Sequence, residues 1–190
     1  HNSLGDDPFL TEGFHALFQS ISARTAGYNT VNMAKISHLG IILLVGLMFI
    51  GGSPGSCAGG IKTTTIAIVF GAVRSLMRNP AKTDVVIFKR RIPDEIVNRA
   101  FIIAVLAVIL IMTVTVLLTV TEAGRMQKWT KGQEPIFRLL FETVSAFGTV
   151  GLSTGITRGL SVLGKLLLTM TMFIGRVGPL TAVLALAATK

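Results

Sequence analysis

The residues with most chemical potential lie in two short loops. Thr25-Ala26-Gly27-Tyr28-Asn29-Thr30 and Thr149-Val150-Gly151-Leu152-Ser153-Thr154 each place a glycine two residues after a threonine and close on a second threonine. Neither loop holds a nucleophile with a base beside it. The two histidines near the first loop, His15 and His38, have no carboxylate, cysteine or histidine at ligand spacing and read as structural. What such loops can offer is backbone. Glycine tolerates positive φ and lets the chain turn a carbonyl toward a chosen axis. A ring of carbonyl oxygens can replace the hydration shell of a cation.

That use requires the loops to lie at membrane depth, and the composition places them there. The chain has 190 residues, 51% hydrophobic and only 14% charged, with a mean hydropathy of +0.68. Soluble domains carry about 25% charged residues. From Ala100 to Thr121 the sequence AFIIAVLAVILIMTVTVLLTVT holds no charge and no proline. It is long enough as a helix to cross a hydrocarbon core of ~30 Å, which needs about 20 residues. Irregular backbone cannot face lipid and is tolerated only where it is buried in protein or lines a watery path.

The loops belong to an internal repeat at an offset of about 124 residues. Phe14 to Ala23 lies over Phe137 to Ala146, the two loops superpose after a one-residue step, and Gly40 and Met48-Phe49-Ile50-Gly51 lie over Gly164 and Met172-Phe173-Ile174-Gly175. Repeats of this kind are how many membrane transport proteins are built. Each repeat predicts a short amphipathic helix, over 8–22 and 133–146, too short to span. Pro8 and Pro135 sit near the starts, where proline is tolerated. The glycine-bearing loop follows, then a longer apolar helix from near Lys35 and near Leu160. The short helix aims its negative C-terminal end toward the loop, which favours cations. The chain divides into 1–75, a pore helix, loop and broken inner helix; 76–99, a basic connection; and 100–190, a complete helix–loop–helix repeat. One outer helix is missing at the front, and because no signal peptide precedes His1 the chain is expected to be a fragment or processed piece.

Formal net charge is +9. Arg74, Arg78, Lys82, Lys89, Arg90, Arg91 and Arg99 gather between two apolar regions, opposed by Asp84, Asp94 and Glu95. Basic residues collect in cytoplasmic loops of membrane proteins, so 74–99 is placed inside. The stretch lacks the interleaved aromatics that stack on bases, so a nucleic-acid partner is not expected; contact with lipid headgroups is compatible with this placement. Trp129 suits the outer interface, and Lys165 lies near the start of the last helix, at the outer interface or against another repeat. The one cysteine, Cys57, excludes an intrachain disulfide.

Residues 51–62, GGSPGSCAGGIK, interrupt a region, 36–73, that is apolar on both sides. The apolar helix before them is too short to span, so the break is expected inside the membrane, against protein or water; a cytoplasmic loop between two short helices is the alternative. Gly55 to Thr63 also comes near the nucleotide-binding pattern G-x-x-x-x-G-K-[ST], but Ile61 intervenes before Lys62 and no strand pattern precedes it. Arg176 stands in the last apolar helix, where a charge is costly unless paired or wet.

ARTAGYNT at 23–30, GGSPGSCAGGIKTTT at 51–65 and SAFGTVGLSTGIT at 145–157 resemble the membrane subunit of Ktr-type potassium uptake systems, within the superfamily of Trk, Ktr and HKT transporters. The resemblance covers essentially the whole chain. It implies an all-α membrane protein of M1–P–M2 units (helix, re-entrant loop, helix), four in one polypeptide around one axis as in K⁺ channels, of which this chain resembles the last and most of the one before; two copies would otherwise have to pair. It implies a filter at Thr25, Ala26, Gly27, Tyr28, Asn29, Thr149, Val150, Gly151, Leu152 and Ser153. It implies a gate at Gly51, Gly52, Ser53, Pro54, Gly55, Ser56, Cys57, Ala58, Gly59, Gly60 and Lys62, with Arg176 protruding into the pore and touching that gate. The implied function is K⁺ translocation down its electrochemical gradient, with Na⁺ stimulation a further expectation. No catalysis, no resident cofactor and no metal beyond the transported K⁺ are expected. The implied partners are a second copy, a cytosolic ring of nucleotide-binding regulatory subunits, and the lipid bilayer of the cell membrane. A non-conducting membrane scaffold is the alternative function, separated by ion flux in reconstituted vesicles. A Lys82→Cys protein should resist impermeant thiol reagents applied outside intact cells and react once the membrane is opened; labelling from outside would overturn the cytoplasmic placement of 74–99.

Overall fold

The computed structural model describes residues 9–33, 36–56, 58–78, 86–87, 90–124 and 134–178. Within them the chain runs α1 (Phe9–Ser22), α2 (His38–Phe49), α3 (Thr63–Arg78), β1 (Val86–Ile87), β2 (Arg90–Arg91), α4 (Asp94–Thr121), α5 (Pro135–Gly148), a 3₁₀ turn (Ile156–Gly159) and α6 (Val162–Val177). The fold is helical, apart from a two-residue antiparallel ladder that pairs Val86 with Arg91 and Ile87 with Arg90.

Helix α4 is 28 residues long, with a mean hydropathy of 3.2 over its most apolar window, and is long and apolar enough to cross a membrane. At 1.5 Å per residue it extends roughly 42 Å. Asp94 and Glu95 occupy its first turn, where carboxylates complement the helix dipole. Ile102, Val105, Ile109, Met112, Val116 and Val120 are exposed along one stripe, while Ala107, Ile111, Val114 and Leu118 are buried on the other. The spacing of three and four residues is that of a helix with one face against protein and one toward an apolar medium.

Helix α5 sits at the centre and packs on α2, α4 and α6, while α3 packs on α4. Pro135 opens α5 in its first turn, and every residue from Phe141 to Gly148 is buried. One core cluster joins Phe141, Val144 and Phe147 to Ile41, Leu44 and Met48 of α2 and to Ala107 and Ile111 of α4. A second joins Leu139 and Ala146 to Val114, Leu118 and Leu168.

The repeat seen in the sequence recurs in the caps. Ser37 Oγ accepts from Gly40 N at 3.3 Å at the start of α2, and Ser161 Oγ accepts from Gly164 N at 3.0 Å at the start of α6. These serines fix both helix starts slightly later than Lys35 and Leu160, because a capping hydroxyl marks the boundary. Glu122, fully buried just past α4, accepts from Ser161 N at 2.9 Å and from the Ser161 hydroxyl, tying the end of α4 to the start of α6. The short helices occupy Phe9–Ser22 and Pro135–Gly148, the second reaching two residues beyond its expected end. Basic charge marks 74–99 as a loop only approximately: Arg74 and Arg78 ride on α3, Arg91 is in the ladder and Arg99 is in α4. Pro8, Lys35, Cys57, Lys82, Asp84, Lys89 and Trp129 lie outside the described residues.

The apolar helix around Arg176 stops early. Helix α6 ends at Val177 and Gly178 follows with φ 96°. A glycine at positive φ and extended ψ (136°) before Pro179 is a helix stop: only glycine takes that conformation readily, and a following proline disfavours helical ψ in the residue before it. Gly175 marks the closest approach of α6 to α5, since a Cβ there would collide with the backbone carbonyl of Phe147. Gly175→Ala should therefore destabilise the full-length protein by about 1–3 kcal/mol, seen as a lower unfolding temperature in detergent, because backbone cannot yield as a side chain can.

Candidate functional site

The two glycine-bearing loops have matching backbone. In the first, Thr25 has φ 69° and Gly27 φ 74°; in the second, Thr149 has φ 52° and Gly151 φ 89°. Thr25 and Thr149 are the only non-glycine residues with positive φ among the described residues. A left-handed β-branched residue is a genuine outlier, costing about 1–3 kcal/mol, and such strain persists only where the surroundings hold it. Strain at the same place in both repeats points to a shared requirement on carbonyl direction.

Each loop is anchored in the same manner to the helix before it. The Ser22 hydroxyl donates to Tyr28 O, and the Ser145 hydroxyl donates to Leu152 O at 2.6 Å. Ser22 is aligned with Ser145, and Tyr28 with Leu152. Gly27 N reaches Ser22 O at 3.2 Å, and Val150 N reaches Ser145 O at 2.9 Å, so the last turn of each helix runs directly into its loop. The loops also face one another. A Cβ on Gly27 would collide with Val150 O, and one on Gly151 would stand 3.7 Å from Gly27 Cα. All ten expected filter residues therefore lie in two adjoining loops at the C-terminal ends of two short helices. Tyr28 points outward and is 72% exposed, while its counterpart Leu152 is buried at 2%. The side chains differ, and the paired feature is backbone.

The glycine run leaves α2 at Ile50 and rejoins α3 at Thr63. Its ends are closed on each other: Gly51 N donates to Ile61 O at 2.8 Å, Thr63 N to Gly52 O at 3.3 Å, and Ile50 forms a parallel bridge with Ile61. A parallel bridge means the chain returns in the direction in which it left. That is the geometry of an interrupted helix rather than a hairpin. At its tip Ser56 N and Oγ both donate to Ser53 O, at 3.1 and 2.7 Å, and Gly55 has φ 83° beside Pro54. Lys62 Nζ donates to Ala58 O at 2.6 Å, within the run itself.

The far side of the run lies against the second loop. Gly59 N donates to Thr149 Oγ1 at 3.0 Å, and Gly60 N donates to Gly175 O at 3.3 Å. A Cβ on Gly59 would stand 2.5 Å from Thr149 Oγ1 and 3.0 Å from Gly148 O. Glycine is needed there because the Gly59 backbone lies against the Thr149 side chain and the Gly148 carbonyl. The contact between the run and α6 falls on the carbonyl preceding Arg176; the Arg176 side chain is exposed in the last turn of α6.

Sequence reasoning missed Glu142. It is 4% exposed, in the middle of α5. Its Oε1 accepts from Ser153 Oγ at 2.8 Å, Thr154 N at 2.7 Å and Thr154 Oγ1 at 2.9 Å, and its Oε2 accepts from Thr157 Oγ1 at 2.6 Å. A signal was present: a carboxylate in an otherwise apolar short helix, with a Ser/Thr cluster just beyond the next loop. A cavity of ≈ 480 Å³ opens beside it, bounded by Glu142, Ser145, Gly151, Ser153, Thr157 and Arg158. Among the described residues no three His, Cys, Asp or Glu side chains gather as a metal site. His15 Nδ1 lies 3.2 Å from Thr30 Oγ1, and the His38 ring meets Phe137 edge-on at 5.9 Å.

Two short helices end in loops with a matching pair of positive-φ residues, beside a helix long and apolar enough to cross a membrane. The chain belongs to the TrkH family of cation transport proteins, whose model matches residues 9–189. It is a family of membrane transporters, not of enzymes. The chain is similar to the Ktr system potassium uptake protein B of Bacillus subtilis, 38% identical over 99% of this chain and 40% of that protein. It is similar to the protein of the same name from Vibrio alginolyticus, 39% identical over 98% of this chain and 38% of that protein. It is also similar to the potassium/sodium uptake protein NtpJ of Enterococcus hirae, 41% identical over 90% of this chain and 36% of that protein. The chain thus spans about two fifths of the length of these relatives.

Proposed function

We propose that the protein carries K⁺ across the cell membrane through a filter to which 25–29 and 149–153 contribute two of the walls. The observation that carries this reading is the paired loop backbone, with left-handed Thr and Gly two residues apart and a serine hydroxyl on the carbonyl of the residue after that glycine. Equal backbones with unequal side chains are what carbonyl coordination needs and side-chain coordination does not. The relatives' names, potassium uptake and potassium/sodium uptake, support K⁺ as the cargo and leave room for Na⁺ as a stimulating ion. In this reading α1, α2 and α3 form the re-entrant and inner parts of one M1–P–M2 unit, and α4, α5 and α6 form another.

The ion sheds water at the carbonyls and passes toward the glycine run, which acts as the gate. Contact between Gly59 and Thr149 supports that role, because movement of the run is felt directly at the first residue of the second loop. Arg176 adds positive charge beside the neighbouring contact of Gly60 N with Gly175 O and opposes cation passage while the run is closed. The complete transporter is read as a dimer on a cytosolic ring of nucleotide-binding regulatory subunits, with 74–99 cytoplasmic and a plausible seat for the ring. The words "Ktr system" in the relatives' names support a protein of more than one component.

The test is K⁺ uptake by the complete gene product in cells stripped of their own uptake systems. Gly151→Ser should lower the preference for K⁺ over Na⁺ by about tenfold, because φ 89° strains any side chain and the hydroxyl adds a competing ligand. Unchanged preference would remove 149–153 from the filter. Shortening 51–60, or Arg176→Ala, should make uptake faster and less dependent on the regulatory partner at matched expression. If both variants fold and conduct no faster than the parent, the run is a hinge and the gate lies elsewhere.

A further inference from the structure

The repeat aligns Gln19 of α1 with Glu142 of α5, and the two side chains are equally buried, at 5% and 4% exposure. Their surroundings differ. Glu142 accepts four hydrogen bonds from Ser153, Thr154 and Thr157, at 2.6–2.9 Å. Gln19 Oε1 and Nε2 have no hydrogen-bond partner among the described residues. On the first loop, the residue matching Thr154 is Thr30, whose hydroxyl lies 3.2 Å from His15 Nδ1 at an exposed site. Beyond the serine-to-carbonyl bond common to both, the second loop is thus secured from behind by a buried carboxylate, and the first is not.

We propose that Glu142 is a positioning residue for ion selection, and that the two loops are mechanically unequal: 149–154 is the stiff wall and 25–30 the compliant one. The inference rests on the filter reading above. Glu142 does not touch the ion in this account. It fixes Ser153 and Thr154, which lie directly after the carbonyls of Gly151 and Leu152, while Ser145 holds Leu152 O from the other side. A carbonyl clamped on both flanks cannot shift to suit a smaller cation. A carboxylate suits this place because it only accepts, and all four groups facing it are donors.

The geometry separates positioning from charge. In Glu142→Gln the amide oxygen can keep the three donors now on Oε1, while the new amide group meets Thr157, whose hydroxyl can turn to accept. In Glu142→Ala all four donors lose their acceptor. Uptake of K⁺ and Na⁺ by the complete gene product, with KM and maximal rate measured separately for each ion, reads the difference. Glu142→Ala should lower the K⁺-over-Na⁺ ratio by about tenfold or more, mainly through improved Na⁺ uptake, while Glu142→Gln stays within about threefold of the parent. Thr157→Val, which removes one bond and keeps the volume, gives a milder variant in case Glu142→Ala does not fold. It should lower the ratio by about three- to fivefold. Gln19→Met, which removes no bond among the described residues, should leave the ratio within about twofold of the parent. An unchanged ratio in folded Glu142→Ala and in Thr157→Val would overturn the proposal. A loss in Glu142→Gln equal to that in Glu142→Ala would show that charge, not position, is at work. A loss in Gln19→Met as large as in Thr157→Val would overturn the inequality of the loops. A parent that carries no K⁺ fails the filter reading itself, whatever the variants do.

Discussion

A backbone amide or carbonyl that leaves helical geometry in an apolar surround must find another partner, and the structure is arranged around that constraint. Three segments break helical geometry beside the central helix α5: the two glycine-bearing loops and the run 50–62. The loops and the run solve the problem differently. The loops borrow serine hydroxyls from the helix before them. The run pairs its two ends with each other and lends Gly59 N to Thr149 and Gly60 N to Gly175. In the proposed reading, the remaining loop carbonyls are the groups a passing cation would use.

Close approach of backbones is the second condition, and it selects glycine. Gly27 against Val150, Gly51 against Gly59, Gly59 against Thr149, Gly148 against Met48 O and Gly175 against Phe147 O are all contacts that a Cβ would break. They connect the first loop to the second, the second loop to the run, and α5 to α2 and α6. Close contact of main chains transmits displacement stiffly, since no side chain can rotate out of the way. The run meets the second loop through Gly59, whose amide bonds the Thr149 hydroxyl and whose Cα faces the Gly148 carbonyl, so a shift of the run falls on 148–149. In the proposed reading, gate and filter would then share a mechanical element without a separate linkage between them.

Much of this was legible in the sequence for a physical reason. The repeat exposed the loops, because two copies of a pattern constrain each other where one copy is ambiguous. The uncharged run 100–121 exposed α4, because nothing but a helix satisfies so much backbone in lipid. Legibility ended where the deciding information was pairing across the chain. Glu142 reads in isolation as an ordinary residue of an amphipathic helix; only the approach of Ser153, Thr154 and Thr157 gives it a role. Glu122 reads as the end of the apolar run, yet it holds Ser161 across 39 positions. Basic charge suggested a loop at 74–99, where helix ends and a short ladder also occur, because charge reports which side of a membrane a segment prefers and not its local geometry. Arg176 was legible as an anomaly, but the stop of α6 just beyond it depends on Gly178 taking positive φ with extended ψ before Pro179.

The proposed inequality of the two loops bears on how a filter assembled from non-identical repeats would discriminate. In a ring of four identical subunits every wall yields equally, and cavity size is fixed by symmetry. A chain that encodes its walls separately can distribute stiffness. Here the second loop carries the buried carboxylate network and also receives the run through Thr149, while the first carries an exposed histidine contact and a Gln19 with no hydrogen-bond partner among the described residues. Thr25 and Thr149 both take positive φ, but the partners that hold the two loops differ. Selection against a smaller cation needs only enough stiff walls to prevent collapse around it, since a cavity that closes on one side alone leaves the ion under-coordinated on the others. The compliant wall is then free to relax as ions enter and leave, which is what conduction at a useful rate requires of a site that also binds.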